Sequence, residues 1–352
     1  MRSRPAVRAI ESHNAVWLLQ TRRASREPLA TAPSPLLGAK PIMPGFHRAC
    51  ALTKRTKVGG LFTALLTPFD SEGNVDLEAL AELVRFQTRA GADGLYVCGT
   101  TGLGPLLSLR ERKSIAETVS SELSGALPIV IQVGCADTAS AVDLATHAEG
   151  LGVEAIASLT PYYYKPGDAA VRKHFEAIAK SVETALFAYN IPQFTGNNLT
   201  AETVASMAKQ GTIAGIKDSS RDILQLLDVL ASVPDEFVVM NGTEEYGLFS
   251  LMMGGDGLVS GGANAAPELM KSLVSLHAKG DYRAAIGAQD AVLRLRACVK
   301  ASPIPAYYEV LKSRGIDCGS PRPPFVPLGK EGARNLLRDL QAAGISLGPA
   351  NG

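Results

Sequence analysis

From residue 59 onward, short apolar runs alternate with longer stretches whose apolar positions recur at helical spacing. Eight such runs are present, and they are Gly60–Phe69, Gly94–Gly99, Pro128–Gly134, Ala155–Pro161, Ala185–Ile191, Ile213–Lys217, Phe237–Asn241 and Gly257–Ser260. Continuously apolar strands that alternate with helices are typical of a parallel sheet buried on both faces. Eight strand–helix units in about 210 residues predict an α/β fold, a closed (β/α)₈ TIM barrel.

Local signals mark where the intervening helices begin. Ser108 followed by Glu111 has the spacing of a capping box, and Thr200 before Ala201-Glu202 is a second N-cap. The alternative fold is a doubly wound open sheet, which needs a glycine-rich phosphate turn after its first strand. The segment Thr67-Pro68-Phe69-Asp70 does not supply one, so the pattern favours the barrel.

Both ends of the chain differ from the barrel region, which we place at residues 58–268. The C-terminal part, 269–352, is predicted to form a helical appendage, with helices over Leu269–Lys279, Tyr282–Lys300, Pro305–Arg314 and Gly332–Ala343. Residues 1–57 are rich in arginine and proline and lack periodicity, which is typical of a disordered or targeting-like extension. Glu11 and Glu27 argue against a transit peptide, and a start codon assigned too far upstream would give the same appearance.

Composition limits the classes of protein that this chain can represent. With 352 residues, 46% hydrophobic residues and a net charge of +1, it suits a large soluble domain without nucleic acid or membrane as its partner. Five scattered cysteines without a C-x-x-C pair favour reduced thiols and a cytoplasmic location, or organelle import if the extension is a transit peptide. Five histidines without metal-binding spacing predict no metal and no cofactor.

Candidate chemistry lies where the predicted strands end, because such barrels place their active sites there. The sixth run ends in Lys217, which is either a solvated lysine or a desolvated amine with a lowered pKa, able to attack a carbonyl carbon. The second run ends in Cys98–Gly102, where Thr100 and Thr101 lie between glycines. This segment is either an ordinary turn with a threonine cap or a cradle for a carboxylate.

Tyrosines end the fourth and fifth runs, in Tyr162-Tyr163-Tyr164 and at Tyr189. Such tyrosines often only pack, but a phenol that is hydrogen-bonded to another hydroxyl can relay a proton. Together with Lys217 they predict imine formation with a 2-oxo acid, in which the protonated imine accepts the electrons released by carbon–carbon cleavage.

Three motifs in residues 59–343 resemble those of the dihydrodipicolinate synthase / N-acetylneuraminate lyase family. They are Gly99-Thr100-Thr101-Gly102, Tyr189-Asn190-Ile191-Pro192 and Gly215-Ile216-Lys217-Asp218, each at a predicted strand end. The resemblance implies class I aldolase chemistry on pyruvate in a barrel that usually forms homotetramers. It assigns Lys217 to the Schiff base, Tyr189 to proton transfer, Thr100 and Tyr163 to its relay, and Thr100 with Thr101 to the pyruvate carboxylate. In the family, the residue matching Tyr163 is typically lent across a subunit interface.

Departures from the family pattern bear on the substrate. Dihydrodipicolinate synthases have an arginine at the position of Phe194, for a carboxylate, and usually a glutamate at that of Leu103. The segments Gly99–Pro105, the triple tyrosine and Pro321–Phe325 instead resemble 2-keto-3-deoxygluconate aldolases of the archaeal type. We therefore expect reversible cleavage of a 2-keto-3-deoxy sugar acid to pyruvate and an aldehyde.

Further residues are candidates for the aldehyde side of the substrate. Gly242, Glu244 and Glu245 resemble the hydroxyl-binding motif of N-acetylneuraminate lyase, although both acids would equally suit a helix start. Lys165 and Arg172 are either surface charges or contacts for a phosphate. Ser260, at the end of the eighth run, faces the same sugar hydroxyls or only fills the barrel top.

Several alternatives stay open at this point. Within the family they are 4-hydroxy-tetrahydrodipicolinate synthase, N-acetylneuraminate lyase and a sugar-acid dehydratase, which eliminates water from the same imine. A catalytically silent binding barrel would be expected to lose at least one of Lys217, Tyr189, Tyr163 and Thr100. A serine hydrolase built on Ser260 lacks the first glycine of its elbow motif, because Leu258 stands there.

Overall fold

The structure is a computed structural model that describes residues 56–350. Eight parallel strands close into a barrel in chain order, with β1 paired to both β2 and β8. The strands are β1 (Gly60–Ala64), β2 (Gly94–Val97), β3 (Ile129–Gln132), β4 (Ala155–Leu159), β5 (Leu186–Asn190), β6 (Gly215–Asp218), β7 (Val238–Asn241) and β8 (Gly257–Ser260). This confirms the predicted (β/α)₈ barrel. The predicted extension lies outside the described residues except at its last two positions.

Twelve α-helices follow or separate the strands in the described part of the chain. They are α1 (Leu77–Arg89), α2 (Leu109–Leu123), α3 (Thr138–Gly150), α4 (Asp168–Ala179), α5 (Pro192–Thr195), α6 (Ala201–Lys209), α7 (Ile223–Ser232), α8 (Gly247–Met252), α9 (Pro267–Ala278), α10 (Tyr282–Val299), α11 (Pro303–Ser313) and α12 (Gly329–Ala342). The capping box of α2 is present, since the Ser108 side chain accepts from the Glu111 amide and the Glu111 carboxylate accepts from the Ser108 amide. Thr200 caps α6 as predicted.

The first strand is shorter than its apolar run because another side chain takes over its hydrogen bonds. The Asn264 side chain donates to the Ala64 carbonyl (2.7 Å) and accepts from the Leu66 amide (2.9 Å), which ends β1 at Ala64. The rest of the run leaves the sheet, and the Phe69 amide donates to the Cys318 carbonyl (3.1 Å). Apolar residues after Ala64 therefore tie the barrel to its C-terminal region.

The barrel interior is filled by complementary large and small residues. Phe62 on β1 packs against Gly94 on β2, where a Cβ would lie 2.3 Å from the ring. Phe187 on β5 packs against Gly215 on β6 in the same way, at 2.6 Å. A second apolar layer lies between the strands and the surrounding helices. The interior is thus a packed core at this level.

Beyond the barrel, helices α10, α11 and α12 form the C-terminal helical part that the sequence predicts. Helix α9 packs against β1 and β8 and so completes the ring of the barrel, while α10 packs against α8 and α9. Helix α11 is fastened by Tyr308, whose hydroxyl donates to the Thr67 carbonyl (2.6 Å). Among residues 56–350, no helix combines the length and the hydrophobicity needed to cross a bilayer.

Candidate active site

A cavity of about 770 Å³ opens at the C-terminal ends of the strands. Its wall includes residues from the ends of β2, β5, β6 and β7, and side chains from α10, α11 and the 324–326 segment. Those central to the chemistry are Thr100, Thr101, Tyr189, Lys217, Gly242 and Glu244. The barrel topology thus brings together residues that are far apart in the sequence.

Lys217 lies on β6 and is buried, with 5% of its surface exposed. Its Nζ is 4.1 Å from the centre of the Tyr96 ring and 4.0 Å from that of Tyr189. Burial lowers the pKa of Lys217 to about 7, and the negative charge of Glu244 acts in the opposite direction. A large fraction of the amine is therefore neutral near pH 7, and a neutral amine is the form that attacks a carbonyl carbon.

Tyr189 lies beside Lys217, because β5 and β6 pair with these two residues in register. Its hydroxyl is 3.1 Å from the Thr100 Oγ1 atom. Burial raises the pKa of Tyr189 to about 12, although hydrogen bonds with Thr100 and Ser219 oppose that rise. The phenol therefore keeps its proton at neutral pH and can give it to, or receive it from, a group bound at Lys217.

The loop after β2 is folded tightly around the two threonines. Cys98 and Leu103 both have a positive φ of 56°, which ordinary side chains rarely adopt. A Cβ at Gly104 would lie 2.1 Å from the Cys98 carbonyl oxygen, so only glycine allows this close approach. The strained turn places Thr100 and Thr101 on the cavity wall. The Thr100 hydroxyl is engaged with Tyr189, so the Thr101 hydroxyl and the backbone N–H groups are the donors that could hold a carboxylate.

The wall formed by β7 and β8 is built around Glu244. This residue begins a short 3₁₀ turn, Glu244–Tyr246, and its buried side chain also faces the cavity. Its Oε1 accepts from the Ser260 hydroxyl (2.6 Å) and the Gly262 amide (2.7 Å). Ser260 is fully buried beneath Glu244, which it orients. A Cβ at Gly242 would lie 3.0 Å from the Lys217 Cε atom, so glycine lets β7 pass close to the lysine.

Arg296 also lines the cavity, and sequence reasoning missed it. Its Nε lies 3.5 Å from Glu244 Oε2, and its other nitrogens donate to Glu245 (3.3 Å) and the Tyr307 hydroxyl (3.1 Å). Burial alone would lower the pKa of Arg296, but Glu244, Tyr307 and Glu245 together outweigh it and raise that pKa. No motif marks an arginine inside an ordinary amphipathic helix, so only the packing of α10 on the 3₁₀ turn reveals it.

The remaining predicted residues lie in two different environments. Phe194 lines the cavity with 68% of its surface exposed, and Glu245 also lies on the wall. Tyr163, 86% exposed and with φ of 77°, does not line the cavity within this single chain, whereas Tyr162 does.

The two predicted phosphate contacts lie outside the wall. Lys165 is exposed. Arg172 is bound to Asp168 (2.6 Å) and to the Thr203 hydroxyl (3.3 Å), so its charge is already compensated on the surface.

A buried amine of lowered pKa, beside a protonated phenol at the mouth of a (β/α)₈ barrel, defines a Schiff-base-forming lyase of the class I aldolase type. Residues 57–343 match the sequence model of the Dihydrodipicolinate synthetase family. The chain belongs to this family, and it is a carbon–carbon lyase that forms a lysine Schiff base with pyruvate.

Individual relatives are similar along almost their whole length. The chain is 36% identical over 291 residues to a 4-hydroxy-tetrahydrodipicolinate synthase of Chlorobium limicola, covering 82% of this chain and 98% of the relative. The structure of YagE, a family member from E. coli K12 in complex with pyruvate, superposes with a TM-score of 0.79 at 27% identity, covering 82% and 99% of the two chains. The structure of CdNal from Clostridium difficile, in complex with mannosamine, superposes with a TM-score of 0.78 at 26% sequence identity. That match covers 81% of this chain and 99% of CdNal.

Proposed function

We propose that the protein reversibly cleaves a 2-keto-3-deoxy sugar acid to pyruvate and an aldehyde through an imine on Lys217. The observation that carries this proposal is the buried Lys217 amine, with a pKa of about 7, in contact with the Tyr189 ring. The Tyr189 hydroxyl is in turn hydrogen-bonded to Thr100.

The proposed reaction begins when the neutral Lys217 amine attacks the keto carbon, C2, of the substrate. Tyr189 and Thr100 return protons to the carbinolamine oxygen, which leaves as water and gives a protonated imine. Tyr189, left as a phenolate after that step, then accepts the proton of the C4 hydroxyl. The C3–C4 bond breaks, and its electron pair enters the imine to form an enamine. The aldehyde departs, C3 is protonated, and water hydrolyses the pyruvate imine to restore the amine.

The aldehyde side of the cavity supports a polyol. Glu244 and Glu245 both line the cavity, so the wall offers carboxylate oxygens to sugar hydroxyls. Glu244 Oε2 is buried and accepts no hydrogen bond within the described residues, although Arg296 Nε lies 3.5 Å away. Phe194 adds an apolar wall where the synthases carry an arginine for a carboxylate. A phenyl ring cannot form that ion pair.

A second candidate is 4-hydroxy-tetrahydrodipicolinate synthase, which the names of relatives at 33–36% identity favour. That reaction joins pyruvate to aspartate semialdehyde, whereas the proposed one joins pyruvate to glyceraldehyde or a related aldehyde. N-acetylneuraminate lyase and dehydration share the same imine and stay as further alternatives. Condensation assays with both aldehydes separate the two leading candidates, and product analysis of a sugar acid separates cleavage from loss of water.

We also propose that the active form is a homotetramer in which Tyr163 of one subunit completes the relay of another. The 86% exposure of Tyr163 and its place outside the wall of its own cavity support this arrangement. A molecular mass of one chain in sedimentation at assay concentrations would contradict it.

The test of the proposed chemistry is reductive trapping. Borohydride with pyruvate should add one reduced pyruvate to Lys217, detected by peptide mass, and Lys217→Ala should lose the adduct. Its turnover should fall by at least roughly 10⁴-fold, because no second lysine lines the cavity in the described part of the chain. The control is Lys279→Ala, at an exposed lysine that does not line the cavity. It should keep both the pyruvate adduct and the turnover. Substantial turnover by Lys217→Ala would exclude the imine mechanism.

A further inference from the structure

The charged side chains that line the cavity are unevenly paired. The cations are Lys217, Arg221 and Arg296, and the anions are Glu244 and Glu245. Arg296 lies against both glutamates, at 3.5 and 3.3 Å. Lys217 becomes part of the imine during the reaction. Arg221 is therefore left without a counter-ion among the lining residues.

Arg221 has no other partner in the described part of the chain. No ion pair, hydrogen bond or ring contact engages its guanidinium between residues 56 and 350. Arg172 is paired with Asp168 and Arg322 with Glu111 (2.5 Å), whereas Arg110 and Arg283 are exposed and unpaired within residues 56–350, as Arg221 is. What distinguishes Arg221 from those two is its place on the cavity wall. A guanidinium is a planar fork that matches carboxylate and phosphate oxygens, so an unpaired one on a cavity wall is an open anion site.

The backbone at Arg221 is fixed in a conformation that glycine would adopt more easily, with φ of 64°. The loop between β6 and α7 is held by Ser220, whose hydroxyl donates to Asp218 (2.7 Å) and accepts from the Asp222 amide (3.2 Å). Gln193 donates to the Ser219 carbonyl (2.9 Å) from the neighbouring strand end. Residues kept in strained conformations concentrate at functional sites, because the surrounding structure must hold them there.

Other positions expected to bind an anion do not supply a charge to this wall. Phe194 is exposed on the wall and carries none. Lys165 and Arg172 lie outside it. The cavity volume of about 770 Å³ exceeds what a three-carbon keto acid fills, so a second substrate group has room beyond Lys217.

We infer that Arg221 binds an anionic group, a carboxylate or a phosphate, at the end of the substrate away from the keto acid. This assignment rests on the proposed imine chemistry and specifies its substrate class: the aldehyde product carries a negative charge. It makes Arg221 a specificity residue, since the guanidinium contacts a part of the substrate that does not react.

The experiment measures condensation of pyruvate with three aldehydes: neutral glyceraldehyde, glyceraldehyde 3-phosphate, and aspartate semialdehyde as the carboxylate. For each enzyme, the readout is the ratio of kcat/KM for an anionic aldehyde to that for the neutral one. Arg221→Gln should lower this ratio by roughly 10- to 100-fold, the scale of a lost charge-assisted hydrogen bond. Arg221→Lys should restore part of the ratio that Arg221→Gln loses. The anionic aldehyde whose ratio falls in Arg221→Gln shows whether the bound group is a phosphate or a carboxylate.

Two further variants separate binding from folding. Arg221→Gly should lower the kcat/KM ratio as much as Arg221→Gln does. Its melting temperature should be no lower than that of the native protein, because glycine suits the positive φ. Arg283→Ala removes the same charge at an exposed position of α10 outside the cavity and should leave the ratio unchanged.

Three results would overturn the assignment: an unchanged ratio in Arg221→Gln, an equal loss for neutral and anionic aldehydes, or no turnover of any anionic aldehyde by the native protein. Borohydride trapping on every variant distinguishes these failures from failure of the proposed function. A native protein that forms no pyruvate adduct removes both proposals. A normal adduct with an unchanged ratio removes only the role of Arg221.

Discussion

Two levels of the barrel interior are both built from residues of the strands, yet one is only a packed core and the other carries reactive groups. At one level, Phe62 and Phe187 fill the space left by Gly94 and Gly215, and the contacts are wholly apolar. At the mouth, the buried amine of Lys217 lies over the Tyr96 and Tyr189 rings, and the cavity wall also carries the Thr100 hydroxyl and the Glu244 carboxylate. The first level stabilises the fold, and its packing offsets the cost of burying charge at the second.

Backbone strain follows the same division. Five non-glycine residues among positions 56–350 have a positive φ, and four of them follow strands at the mouth: Cys98, Leu103, Tyr163 and Arg221. The fifth, Ser124, caps the C-terminus of α2. Strained conformations are thus concentrated where the chemistry is, and the apolar level of the barrel carries regular strands.

After the loss expected from Lys217→Ala, the largest effect at the mouth is expected from Tyr189→Phe. The phenylalanine ring keeps the contact with the Lys217 amine, but the variant lacks the Tyr189 hydroxyl, whose pKa is about 12, and so lacks its transferable proton. Carbon–carbon cleavage should slow by roughly 10²- to 10⁴-fold, while imine formation is retained in part. Turnover and borohydride trapping measure the two steps separately, and an unchanged kcat would remove Tyr189 from the mechanism.

The apolar level should respond in stability instead. Gly94→Ala places a Cβ 2.3 Å from the Phe62 ring and should lower the free energy of unfolding by about 1–3 kcal/mol through overpacking. Gly287→Ala, in helix α10 with nothing near the new methyl, is the matched control and should stabilise by up to about 1 kcal/mol. Denaturant melts compare them. If Gly94→Ala changes the pH dependence of trapping at Lys217, the two levels are not separate.

The smallest expected effect is on the pKa of Lys217, through the charge of Glu244 on the cavity wall. Glu244 raises the pKa of Lys217 against the larger effect of burial, so Glu244→Gln should lower that pKa further below its ordinary value. The rise of imine formation with pH, which follows deprotonation of the amine, should then move to lower pH by less than about one unit. Its measure is the pH profile of pyruvate trapping.

The control for this shift is Glu245→Gln. That glutamate pairs with Arg296 and is not among the groups that act on the pKa of Lys217, so its profile should stay in place. A profile that moves to higher pH in Glu244→Gln would contradict the assigned sign.

Much of the fold could be read from local pattern. The eight apolar runs, the Ser108–Glu111 capping box and the helical tail all depend on residues close together in the sequence, and each is present in the structure. Strand ends were less predictable. The end of β1 depends on Asn264, which lies 200 positions away and whose side chain replaces the strand's own hydrogen bonds.

The candidate site divides in the same way. Lys217, Tyr189, Thr100 and Thr101 stand in recognisable motifs at strand ends, and the sequence was enough to place them at one mouth. Arg296 and Arg221 stand in no motif. Which of the two is paired with a carboxylate is settled by the packing of α10 against Glu244 and Glu245.

The sequence by itself determined the barrel, the family and the lysine that we propose as the nucleophile, because periodicity and short motifs encode them within a few residues. Only the tertiary structure decided how far burial lowers the pKa of that lysine, which carboxylate opposes it, and which cation stays unpaired on the cavity wall. Desolvation and charge pairing are sums over neighbours from many strands and helices. No stretch of the chain contains those neighbours together, so folding alone brings them into contact.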